Sequence, residues 1–81
     1  MSDAALNARL ARVVGADPEG FEAIRDDARC RALMDRYDVD LSWSEGVWCA
    51  QITAPDGRPH EEEDRLATRA AVKVILAAHD R

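Results

Sequence analysis

Long apolar runs are missing from the chain. A membrane-spanning helix needs roughly 18–20 consecutive apolar residues, and no stretch approaches that, which excludes a spanning helix. The opening residues MSDAALNARL lack the basic and apolar blocks of a secretory signal, so the cytoplasm is the expected compartment. Glycines stand singly at positions 15, 20, 46 and 57, which excludes a glycine-rich phosphate cradle. Cys30, Cys49, His60 and His79 are the only cysteines and histidines, and no two of them have ligand-pair spacing. The run His60-Glu61-Glu62-Glu63-Asp64 opens like an H-E-x-x-H zinc helix but puts Asp64 where the second histidine belongs. No metal or other cofactor is expected. Both cysteines read as small reduced thiols in a cytosolic chain. Cys49 with His60 is the available nucleophile and base, with neither an oxyanion site nor a third orienting group, so an enzyme is not expected.

What the chain has is acid. Its 81 residues carry a net charge of −5, unevenly spread: residues 1–16 sum to +1, 17–27 to −4, 28–34 to +2, 35–64 to −7 and 65–81 to +3. Such a field disfavours nucleic acid and anionic membranes as direct ligands, because phosphate is bound largely by lysine and arginine. It favours a basic protein partner. With 47% apolar and 33% charged residues the chain is a folded domain rather than a disordered one, and its length makes it a single small domain.

The segment Asp38 to Ala54 fixes most. Two runs of strict alternation flank Glu45-Gly46, an acid and glycine suited to a tight two-residue hairpin turn. The implied register sets Ser44 against Val47, Trp43 against Trp48, Leu41 against Ala50 and Val39 against Ile52. Trp43, Trp48, Leu41, Ala50, Val39 and Ile52 share one face, and the other carries Asp38, Asp40, Ser42, Ser44, Cys49, Gln51 and Thr53.

Before the hairpin, Ser2 or Asp3 can cap a first helix carrying Leu6, Leu10, Val13 and Val14, which ends at Gly15. Asp17-Pro18-Glu19 signals a second start. Apolar residues lie on two sides of the segment that follows, so the economical expectation is a short helix over about 18–25, a break capped at Asp26-Asp27, and a helix over about 27–37. One continuous helix packed on both sides is the alternative.

After the hairpin, Pro55 to Pro59 reads as a loop, with Arg58 to Glu61 as an optional edge strand confined to the edge by Pro59. The last helix is expected from about Glu61 to His79, its first turn holding the acids. Its inner face is Leu66, Ala67, Ala70, Ala71, Val74, Ala77 and Ala78. Val72 and Ile75 form a second patch that is an exposed pair, part of the core or a dimer contact. The fold class is therefore α+β, helices on one face of a two- or three-stranded antiparallel hairpin, in the order α-α-β-β-α.

Gly46-Val47-Trp48-Cys49-Ala50 on the second strand, and Leu66-Ala67-Thr68-Arg69-Ala70-Ala71 leading to Leu76-Ala77-Ala78, resemble small phage proteins of the ABA-sandwich type over about Asp17 to Ala78. The polar face of the hairpin departs from a sheet covered on both sides. In size and acidity the chain also resembles phage anti-CRISPR inhibitors. That resemblance implies a non-enzymatic inhibitor of a CRISPR effector such as a type I Cascade, a basic nucleic-acid-binding protein whose DNA site is blocked by acid. The candidate partner-binding residues are Asp35, Asp38, Asp40, Glu61, Glu62, Glu63 and Asp64. A structural or oligomeric accessory module using Val72 and Ile75 is the alternative function, and a monomer or weak homodimer is the expected state.

Overall fold

The first helix, α1 (Asp3–Val14), starts where Ser2 accepts the Ala5 N–H at 3.2 Å and closes at Gly15. One stripe of it, Leu6, Leu10 and Ala11, is buried. The computed structural model, which describes residues 1–80, contains three helices and three strands in the order α-α-β-β-β-α.

No helix forms over 18–25, contrary to expectation. The physical reason is a set of competing acceptors. Asp17 Oδ1 takes the Glu19 N–H at 3.0 Å, Gly20 turns the chain at φ 77°, and Glu22 Oε2 takes the Arg25 N–H at 3.0 Å. Asn7, buried on α1, accepts from the N–H groups of Ala23 and Ile24 at 3.0 and 3.4 Å. Backbone donors that a helix would bond to its own carbonyls are thus taken by the side chains of Asn7, Asp17 and Glu22, and Ala23 and Ile24 are drawn into the core. The expected break holds: Asp26 caps α2 (Asp27–Arg36) by accepting the Arg29 N–H at 3.1 Å.

Asp38, in the left-handed region at φ 54°, turns the chain from α2 into the sheet. Strands β1 (Asp40–Ser44) and β2 (Val47–Thr53) pair in the expected register, Ser44 with Val47, Trp43 with Trp48 and Leu41 with Ala50. Both turn residues have positive φ, 52° at Glu45 and 82° at Gly46, as a primed hairpin turn requires.

The third strand is real and longer than the optional edge strand. Strand β3 (Pro59–Asp64) pairs antiparallel with β2, so Glu61 to Asp64 lie in the sheet and not in the first turn of the last helix. Helix α3 (Ala67–His79) begins three residues after the acids, with Asp64 Oδ1 accepting the Leu66 N–H at 3.0 Å. Strand pairing wins because β2 offers a full ladder to this segment, and because its inward acids meet cations on α3.

Helix α3 packs on β2 and β3, and α1 and α2 pack on α3, leaving one face of the sheet open. Ala70, Ala71, Val72, Val74 and Ile75 are essentially inaccessible. Val72 and Ile75 are therefore core, not an exposed pair or a dimer contact, and the patch on which an oligomeric module would depend is not at the surface. Leu66 and Ala77, expected on the inner face, are exposed. Trp43 is also a departure: it lies against Trp48, ring centroids 5.2 Å apart, yet is 56% exposed, because the helices pack chiefly on β2 and β3.

Candidate functional site

Side chains alternate across a strand, so the ladder assigns every acid of β3 to a face. Glu61 pairs with Gln51, which pairs with Asp40, and Glu63 pairs with Cys49, which pairs with Ser42. These two cross-strand rows lie on the open face. Glu62, opposite Ala50, and Asp64, opposite Trp48, project to the helix side.

On the helix side the acids are neutralised. Arg69 Nε reaches Asp64 at 3.1 Å, and Lys73 Nζ lies 3.5 Å from Asp64 and 4.0 Å from Glu62. Arg69 also pairs with Asp3 of α1 and donates to the Met1 carbonyl at 3.2 Å, and Arg9 pairs with Asp80 at 2.6 Å. Burial alone would raise the Asp64 carboxyl, but the Leu66 N–H and the hydrogen bond and charge of Arg69 outweigh it, with Lys73 adding to them, and hold it below the usual aspartate range. Glu62 and Asp64 were expected to face a partner. They instead tie β3 to α3.

On the open face Asp40, Glu61 and Glu63 are exposed, and among the described residues none has a cation within ion-pair distance. Asp38 joins them where the sheet ends, in a shallow depression it lines with Asp40, Gln51, Thr53, Pro59 and Glu61. Asp35, exposed on the last turn of α2, does not line that depression. Of seven candidate residues, four therefore converge, two are turned away and one stands apart.

Cys49 was not among the candidates, although it sits at the centre of the open face. Its thiol donates to Glu61 Oε1 at 2.8 Å, and the Glu63 carboxylate completes a group whose ligand atoms lie within 4.8 Å of one another. The hydrogen bond to Glu61, desolvation and the two negative charges push the thiol up to about 11. A proton held this firmly makes Cys49 a poor nucleophile at neutral pH. No Cys49–His60 dyad forms, since Cys49 is bonded to Glu61 while His60 occupies a helix-side position opposite Ile52. Reading Glu61 to Asp64 as a strand would have paired Cys49 with Glu63 from sequence.

No protein-family model matches the chain, and no curated protein or solved structure is significantly similar to it. The arrangement itself presents hydrogen-bond acceptors and negative charge on a solvent-facing sheet. Such acceptors are complementary to cationic groups.

Proposed function

We propose that the open face of the sheet binds the basic, nucleic-acid-binding surface of another protein and competes with nucleic acid for it, without chemistry of its own. The observation that carries this reading is the sorting of the acids: Glu62 and Asp64 are matched by Lys73 and Arg69, while Asp40, Glu61 and Glu63, on the other side of the same sheet, have no cation partner among the described residues. Free carboxylates on a rigid strand are preorganised acceptors for arginine and lysine, which otherwise hold phosphates. Long-range attraction between a −5 domain and a cationic groove adds steering, which salt screens over a Debye length of about 8 Å at physiological ionic strength.

The resemblance to phage inhibitors makes a type I CRISPR effector the first partner to test. Titrating the chain into a preformed effector–DNA complex is expected to release labelled DNA, with apparent affinity falling steeply as salt is raised. An affinity for the effector that does not respond to salt would remove the electrostatic basis of this reading.

A further inference from the structure

The two edges of the sheet are treated differently. Ala54 donates its N–H to the Arg58 carbonyl at 2.8 Å, which by alternation turns the backbone groups of Pro59, Glu61 and Glu63 outward along β3. That edge is guarded. Pro59 has no N–H to offer, and the Glu63 carbonyl is taken by Lys73 Nζ at 2.7 Å.

Along β1 the alternation runs the other way. Residues flanking a two-residue hairpin turn bond each other, so Ser44, Ser42 and Asp40 bond to β2 while Leu41 and Trp43 direct their N–H and C=O groups outward. No strand lies beyond β1, and among the described residues nothing bonds those groups. The flanking side chains differ by face. On the helix side Leu41 is half-buried and Trp43 is 56% exposed, and on the open face stands Asp40, with Asp38 and Glu45 at the two ends of the strand.

We propose that the β1 edge accepts an extended basic segment of the partner protein as a fourth strand. The segment alternates arginine or lysine with apolar residues: its cations lie over the open face beside Asp40, and its apolar side chains continue the surface of Leu41 and Trp43. Main-chain bonds to Leu41 and Trp43 provide affinity, and the alternation provides specificity. The acids disfavour a second copy of this chain as occupant, since antiparallel pairing of β1 with β1, Leu41 opposite Trp43, would set Asp40 opposite Ser44, next to Glu45, and bring two −5 domains together. The charge of the segment rests on the acidic-face reading, whereas its extended form rests on the open edge alone.

The test uses the full chain and an end-blocked peptide, Arg-Val-Arg-Val-Arg-Val-Arg. Saturating peptide is expected to slow amide hydrogen exchange at Leu41 and Trp43 by about tenfold or more, as newly formed ladder bonds do. Trp43→Pro, which removes an outward donor and no β1–β2 bond, is expected to bind the peptide about tenfold more weakly than Trp43→Val, which keeps the donor. Unchanged exchange at Ala50 and Ile52 verifies that both variants are folded. If Trp43→Pro unfolds, the exchange measurement on the unmodified chain decides. Exchange at Leu41 and Trp43 unaffected by bound peptide, equal binding by two folded variants, or no peptide binding at all would each overturn strand addition. The acidic-face reading is judged separately, by whether charge reversal on that face weakens binding to the effector.

Discussion

Glu62 and Asp64 interleave with Glu61 and Glu63 along a single strand, yet the two pairs serve opposite ends. The first pair meets Arg69 and Lys73 and joins β3 to α3, while among the described residues the second meets Cys49 and no cation. Composition cannot separate them, because all four are acids in one run. Position relative to the cations of α3 does: a matched acid ties β3 to α3, and an unmatched one is what the proposed recognition would use.

The largest effect on stability should come from the matched side. Asp64→Ala removes the acceptor of the Leu66 N–H and the partner of Arg69 and Lys73 together, and is expected to cost about 1–3 kcal/mol in chemical denaturation. Acid titration sharpens the same point. The Asp64 carboxyl is lower in the folded state than in the unfolded chain, so its contribution is fully present above the unfolded value, about pH 4, and is lost as pH falls through the folded value. Glu22, lowered first by the Arg25 N–H and then by Asn7, has the same sign. Asp64→Ala should therefore flatten, without abolishing, the loss of stability below about pH 4; an unchanged acid profile would mean that Asp64 is not held as described.

On the unmatched side the expected effects are on reactivity and recognition. Glu61→Gln removes the charge that, with the hydrogen bond, keeps the Cys49 thiol protonated, and alkylation by iodoacetamide at pH 8 should accelerate about tenfold. Cys30 should stay silent, because burial, and then Asp27 and Asp26, push its thiol up to about 11. The smallest effect is the most diagnostic: Glu61→Ala with Glu63→Ala should shift stability by no more than about 0.5 kcal/mol. A loss comparable to that of Asp64→Ala would erase the distinction between the two sides.

How much of this was legible in the sequence follows from how local each determinant is. The hairpin register needed only alternation about Glu45-Gly46, and the helix boundaries at Ser2, Gly15 and Asp26 needed only their own caps. The segment over 18–25 carried a helix signal, but the acceptor that overrode it, Asn7, lies 16 residues before Ala23. The acids of β3 suited a helix start as well as a strand, and the deciding cations, Arg69 and Lys73, lie on the next element. Trp43 was correctly placed on the apolar face, but face does not reveal how far the covering helices reach. The site was half legible for the same reason: the run marked which residues are acidic, and only the pleat divided them.

The central claim is that the unmatched acids are the working ones, and binding to a purified type I CRISPR effector by charge-reversed variants tests it most directly. Exposed ion pairs contribute about 0.2–1 kcal/mol each, so Asp40→Lys, Glu61→Lys and Glu63→Lys together should weaken binding about tenfold or more while the domain stays folded. A folded triple variant that binds the effector as tightly as the unmodified chain would contradict the account.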